Sequence, residues 1–214
     1  MAAEGGSGGG ERGAASRAAA HRRVGVLGGG QLGRMMAEAA ARLGCTIVAL
    51  DPTENCPAAQ AGAEHIVGHF NDAADVARLA AACDLVTAEI EHVDCGALDA
   101  LSLPVLPSPA AIRVIQDKFE QKRAFAAAGV PLGDFEAVES AEAAAALGAR
   151  WGYPLVLKAR RFAYDGRGNA VAADAAAVPA AFASLARGSA VYVERFVPFV
   201  RELAVMVACG VDAA

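Results

Sequence analysis

From Val24 onward, short apolar runs alternate with stretches of helical period, and few folds accept that order. Val24-Gly-Val-Leu27 ends in glycines. Gln31 to Leu43 then spaces Leu32, Met35, Met36, Ala39 and Leu43 as one helix face, and Gly44 stops the helix. Thr46 to Leu50 and Glu64 to Val67 read as further strands, Asn71-Asp72 caps a helix running through Ala82, and Leu85 to Ala88 completes the pattern. Strand–helix–strand units with short connections predict a parallel sheet covered by helices.

Prolines at 104, 107 and 109 close this segment, and a helix is predicted over Ala110 to Ala128, stopped by Gly129 and Pro131. The texture then changes. Strands are expected at Phe135–Val138, Leu155–Lys158, Asn169–Ala173, Val191–Arg195 and Glu202–Cys209, with Ala-rich helices capped by Ser140 and Asp174. The second segment is therefore α+β, and the chain as a whole is α/β with two domains.

The chain has 214 residues, 55% of them hydrophobic and 20% charged, enough for a core in each segment. Its net charge of -5 speaks against a nucleic-acid partner. Five dispersed cysteines without a Cys-x-x-Cys pair read as reduced thiols. His65 with His69, and His92 with Cys95, imitate metal spacing without a second ligand pair, so no metal ligand is assigned. No apolar run approaches the ~20 residues of a membrane helix. Residues 1–23, rich in Gly, Ala, Ser and Arg, read as a disordered tail; a partial transit peptide is the alternative, weakened by Glu4 and Glu11.

Two Gly-rich loops carry the chemistry. Lys158 ends an apolar strand, and Arg160, Arg161, Gly166, Arg167 and Gly168 follow at once, a concentration of cations and free amides suited to an anion. Gly28-x-Gly30-x-x-Gly33 links a strand to a helix, the setting of a phosphate-binding turn, and Asp51 imitates the ribose-binding acid of a dinucleotide fold. A purely structural turn is the competing account. Glu89 and Glu91 lie just past a buried strand, at the edge where open α/β sheets bind ligands, and Glu89 is the better placed to grip an amine. Lys118 and Lys122 share a helix face. Glu194 and Glu202, at strand ends, could accept from a ribose hydroxyl or an adenine amine.

Six motifs in this order resemble the ATP-grasp enzymes, and among them the ATP-dependent phosphoribosylaminoimidazole carboxylases (carboxyaminoimidazole ribonucleotide synthases) of purine biosynthesis. They are Val24 to Met36, Thr87-Ala-Glu-Ile-Glu-His92, Leu106-Pro-Ser-Pro109, Gln116-Asp-Lys118, Ala163-Tyr-Asp-Gly-Arg-Gly-Asn169 and Glu202-Leu-Ala-Val-Met206. The wording is closest to the fungal and plant branch, in which a mutase domain usually follows. The resemblance implies a Rossmann-like pre-ATP-grasp domain over 24–115 and an ATP-grasp domain over 116–214.

It also implies roles. Lys118 and Lys158 would touch ATP phosphates. The loop of Ala163, Tyr164, Asp165, Gly166, Arg167, Gly168 and Asn169 would close over them. Glu194, Arg195, Phe196 and Val197 would form the hinge strand at adenine, with Glu202 on the ribose. Gln31, Leu32, Glu89, Tyr164 and Arg167 would face aminoimidazole ribonucleotide, and Lys158, Tyr164 and Arg167 would act in catalysis. Lys118 stands where bacterial relatives often carry Arg, and Ala163 where they often carry Gly. The implied cofactors are ATP and Mg²⁺, the latter with ligands expected beyond residue 214. The second substrate is bicarbonate, and a homo-oligomer in the cytoplasm, or in a plastid if the tail is a transit peptide, is expected. The chain reads as an N-terminal fragment, inactive alone. The alternatives are a formate-dependent glycinamide ribonucleotide transformylase, a biotin-carboxylase-like ligase, or an NAD(P)-binding module.

Overall fold

The computed structural model describes residues 22–163, 168–186 and 188–208, in two compact units that divide between Pro109 and Ala110. Nearly all of the expected tail lies outside the described residues, as do Tyr164 to Arg167 and Cys209. No helix among the described residues is long and apolar enough to cross a membrane.

The first unit is built on four parallel strands: β1 (Arg22–Leu27), β2 (Cys45–Asp51), β3 (Glu64–Val67) and β4 (Leu85–Ala88), in the order β3-β2-β1-β4. Arg22 and Arg23, assigned to the tail on composition, belong to β1, where Arg23 pairs with Thr46 and its guanidinium holds both oxygens of Glu64 at 2.7 Å. Val26, Leu27, Val48, Leu50 and Val86 are at most 1% exposed. Each such side chain contributes about 1.5–3 kcal/mol by leaving water. Helices α1 (Gln31–Arg42), α2 (Pro57–Gln60), α3 (Ala73–Ala81) and α4 (Cys95–Asp99) complete the unit. Asp72 caps α3, accepting from the Ala74 and Asp75 amides.

Helix α1 corrects one expectation. Its buried face is Gly33, Ala37 and Ala40, whereas Leu32 and Met35 are each 54% exposed and Leu43 more so. Small residues let the helix lie close to the sheet: a methyl group at Gly33 would come within 3.2 Å of the Gly28 carbonyl oxygen. Of the larger apolar side chains at helical spacing, Leu32, Met35 and Leu43 therefore point outward and Met36 packs partly against the core.

The second unit holds α5 (Pro109–Gln116), α6 (Lys118–Ala127), β5 (Phe135–Val138), α7 (Ala141–Trp151), β6 (Leu155–Ala159), β7 (Asn169–Ala172), α8 (Val178–Leu185) and β8 (Val191–Arg195). Its strands form an antiparallel sheet in the order β5-β8-β6-β7. One face packs Val138, Leu155, Leu157, Val191 and Val193 with Ala144 and Leu147 of α7 and Val178 and Ala181 of α8. Ser140 caps α7, and Asp174 caps a 3₁₀ turn, Ala175–Ala177, that leads into α8.

Two expectations fail here. The single helix over Ala110–Ala128 is two, because Asp117 adopts an extended backbone (φ -122°, ψ 105°) and caps α6 through the Phe119 and Glu120 amides. The strand expected from Glu202 is absent over 202–208: those residues have no regular structure and are exposed. Among the described residues no strand pairs with this segment, so no ladder forms there.

Candidate functional site

At the carboxyl edge of the first sheet, the strand ladders continue into the glycine turn. Gly28 N donates to Leu50 O at 3.0 Å, and Glu89 N donates to Leu27 O at 3.1 Å. Gly28 needs its positive φ of 94°, and a methyl group there would press on the Glu89 side chain at 2.8 Å. Glu89 turns into the start of α1: Gly30 N donates to Oε1 at 2.7 Å and Gly33 N to Oε2 at 3.2 Å. A carboxylate thus fills the positive end of the helix from within the protein. The amides expected to cradle a ligand phosphate are engaged by Glu89.

Asp51 is likewise committed. Its Oδ2 accepts from Gly29 N at 2.9 Å and its Oδ1 from Thr53 N at 2.8 Å. Both oxygens fasten the turn, which replaces the ribose-acid reading drawn from its position. Gln31 and Leu32 are exposed at the first turn of α1, beside this edge. Gln31, Leu32 and Glu89 are therefore gathered at one helix start.

In the second unit the sheet face opposite the α7–α8 core carries two cross-strand rows. One runs Ala137, Tyr192, Lys158, Asn169; the other runs Phe135, Glu194, Val156, Val171. Helix α6 covers the β5–β8 end, where the Phe119 ring meets Phe135 edge-on at 5.6 Å and Tyr192 at 5.7 Å. Towards β7 the side chains are Lys158, Val156, Val171 and Asn169, with Val171 59% exposed. This open half joins an apolar floor to a cation.

Glu194 sits between two cations. Lys158 Nζ and Lys122 Nζ each lie 3.2 Å from its Oε1, and its side chain is 15% exposed. Neither ammonium is aligned as a hydrogen bond to that oxygen, so charge holds it. Burial, reinforced by the Glu194 carboxylate, raises the Tyr192 phenol well above its ordinary range and keeps it protonated.

The loop cations divide differently from expectation. Arg160 is neutralised, its Nη2 lying 2.7 Å from Asp117 Oδ2 and 3.2 Å from Glu120 Oε1. Burial favours the neutral acid at Asp117, yet the Arg160 guanidinium and the Glu120 and Phe119 amides hold its carboxyl below the usual range. Arg161 reaches Gln116 Oε1 at 3.2 Å. The exposed Arg161, whose partner is neutral, the half-buried Lys118 at the start of α6, and Lys158 once it leaves Glu194 are the cations suited to an anion here. Lys118 N donates to the Arg160 carbonyl at 2.9 Å, which ties the start of α6 to the end of β6.

Ala163 and Gly168 form the base of the Gly-rich loop. Gly168 has φ 83°, its carbonyl accepts from Ala159 N at 2.8 Å, and a methyl group on it would overlap the Ala163 methyl. Asn169 begins β7, while Tyr164, Asp165, Gly166 and Arg167, with their expected catalytic and substrate contacts, lie outside the described residues. Arg195 pairs with Asp134 at 3.4 Å, and Phe196 and Val197 are 40% and 52% exposed just past β8. Glu202 is exposed in the irregular segment. Among the described residues no group of three His, Cys, Asp or Glu could hold a metal ion.

Sequence reasoning missed the Asp117–Arg160 pair and the sharing of Glu194. A signal for the first was present: Asp117-Lys-Phe-Glu120 has the spacing of a helix capping box. Nothing in sequence spacing announces the second, which joins three elements.

Residues 21–116 match the ribonucleotide synthetase preATP-grasp domain, and residues 123–214 match the ATP-grasp domain. The chain is 45% identical over 196 residues to a phosphoribosylaminoimidazole carboxylase of Ogataea methanolica, an alignment covering 88% of this chain and 36% of that protein. The carboxyaminoimidazole ribonucleotide synthase of Aspergillus clavatus, solved with ATP, superposes with a TM-score of 0.77 at 42% identity, covering 84% of this chain and 48% of that one. The same enzyme solved with ADP and 5-aminoimidazole ribonucleotide gives a TM-score of 0.77 at 40% identity, with the same coverage. The chain thus spans about a third to a half of the length of these relatives. With a parallel-sheet unit ahead of an antiparallel-sheet unit in the sequence, and both family domains matched in order, the chain belongs to the ATP-grasp family, in its phosphoribosylaminoimidazole carboxylase (carboxyaminoimidazole ribonucleotide synthase) branch.

Proposed function

We propose that this chain carries the nucleotide and ribonucleotide sites of an ATP- and bicarbonate-dependent carboxylase acting on aminoimidazole ribonucleotide. The observation that carries the reading is the open half of the second sheet, where Val156 and Val171 flank Lys158 and Glu194. The valines suit a planar base, Lys158 suits a phosphate, and the Glu194 carboxylate suits an adenine amine or ribose hydroxyl. Lys118, Ala163 to Asn169, Arg195 to Val197 and Glu202 complete the nucleotide site in this reading. Gln31, Leu32 and Glu89 are the first unit's residues for the ribonucleotide.

Bicarbonate is a poor electrophile, so its oxygen first attacks the γ-phosphorus of ATP. The bond to the β-phosphate oxygen breaks, ADP leaves, and carboxyphosphate forms. Its breakdown gives carbon dioxide and phosphate. The substrate amine nitrogen then attacks the carbon of carbon dioxide and loses a proton, which yields the carbamate. Lys158 and Lys118 neutralise charge on the transferring phosphates. Closure of the Gly-rich loop excludes water that would hydrolyse carboxyphosphate. A magnesium ion that arrives with a triphosphate takes most of its ligands from phosphates and water and one or two from carboxylates. Among the described residues no ready-made group of three metal-ligating side chains stands by for it.

The test is ADP release by a protein containing this chain, with ATP, bicarbonate and aminoimidazole ribonucleotide omitted in turn. Turnover is expected only with all three present. Equal turnover with formate and glycinamide ribonucleotide would move the assignment to the transformylase.

A further inference from the structure

We propose that Lys122 is a positioning residue for nucleotide binding: it holds Glu194 paired when Lys158 swings to phosphate. The inference rests on the nucleotide reading above and deepens it.

Two ammonium groups converge on one carboxylate oxygen, each at 3.2 Å, with side-chain exposures of 20% for Lys122, 27% for Lys158 and 15% for Glu194. The two lysines are not equivalent. Lys122 stands on α6 with its Nζ 5.5 Å from the centroid of the Phe135 ring, and that ring packs in turn on Phe119. A cation over an aromatic face has an anchor independent of the carboxylate. Lys158 lies on β6 in the same row as the exposed Asn169, and no second anchor holds it among the described residues.

A triphosphate arriving over β6 and β7 therefore draws Lys158 away from Glu194. Without Lys122, that step would leave a nearly buried carboxylate unpaired beside a polyanion, a costly arrangement. With Lys122 in place, Glu194 keeps a counter-ion and stays fixed, its remaining acceptor capacity directed at the nucleoside. Lys122 thus acts on the nucleoside part of the ligand through Glu194, and Lys158 acts on the phosphates directly.

The two roles separate when affinities for ATP and inorganic tripolyphosphate are measured by calorimetry on a protein containing this chain. Lys122→Met is expected to weaken ATP about tenfold and leave tripolyphosphate unchanged, because only the nucleoside contact loses its support. Lys122→Arg should restore most of the ATP affinity, and Lys158→Met should weaken both ligands. Should the Met variant fail to fold, Lys122→Gln carries the same comparison. Equal loss of both ligands in the Lys122 variants, or no loss of either, would overturn the positioning role while leaving the nucleotide site intact. A wild-type protein that binds no ATP would overturn the nucleotide reading, and this inference with it.

Discussion

Arg160 grips Asp117 with two nitrogens: Nε lies 3.0 Å from each carboxylate oxygen, and Nη2 lies 2.7 Å from Oδ2. The same carboxylate caps α6 through the Phe119 and Glu120 amides, and the guanidinium lies 4.9 Å from the Phe119 ring centroid. Asp117 is only 8% exposed, so its removal strands a partly buried cation. Asp117→Ala should cost about 3 kcal/mol in urea unfolding. A loss below about 1 kcal/mol would mean that Glu120 alone satisfies Arg160.

The same pair sets an acid limit. Asp117 is held below the ordinary carboxylate range in the folded state, so its stabilising share is complete above the unfolded pKa of about 4 and is lost as pH falls through the lower folded value. Asp117→Asn should flatten the stability profile in that acid window and leave its shape unchanged near neutrality. Unfolding midpoints recorded from pH 2 to 7 check this. Identical acid slopes in both proteins would assign the limit to other groups.

Glu89 predicts a local effect. Glu89→Gln keeps the size but weakens the bonds to the Gly30 and Gly33 amides, and should destabilise the first unit by about 1 kcal/mol. Amide exchange at those two residues should accelerate before the rest of α1. Unchanged exchange there would show that the helix start is held by the Asp51 side of the turn.

At the loop base, Gly168→Ala suffers twice, from a positive φ and from overlap with the Ala163 methyl. The expected loss is about 1–3 kcal/mol. Ala163→Gly in the same chain should recover only the overlap. A double-mutant cycle separates the two, and full recovery would show that the backbone tolerates alanine at Gly168.

Cys83 should be a slow thiol. Burial, aided by Asp84 and Glu64 and opposed by Arg23, pushes it up to about 11. At pH 8 roughly one molecule in a thousand would carry the thiolate there. Mass spectrometry after brief alkylation should find Cys83 largely unmodified. Labelling as fast as a free cysteine would contradict its burial.

Strands and caps were legible because they are local. Val24–Leu27 and Leu85–Ala88 are largely apolar runs, and Asp72 and Ser140 precede their helices at capping distance. The outward face of α1 was not legible: Leu32 and Met35 have helical spacing, but the close approach at Gly33 decides which face turns in. Charge partners were hidden for a related reason. Arg160 and Asp117 are 43 residues apart, so Arg160 looked available for an anion until the fold brought its counter-ion to it. Glu89 is expected at a ligand edge from its place past β4, while its grip on the Gly30 and Gly33 amides required the turn itself.

The strand order of the second sheet bears on how the protein is made. Among the described residues β8, last of its strands in sequence, is an inner strand and the only neighbour of β5. As the polypeptide emerges, Phe135–Val138 must therefore wait for Val191–Arg195 before its ladder can form, whereas β1 and β2 of the first sheet pair across a single helix. Long-range closure of this kind is slow because chain entropy is lost before any contact repays it. Synthesis thus delivers the first sheet well ahead of the second, in which β6 and β7 pair across a short loop while β5 joins only when β8 settles between β5 and β6.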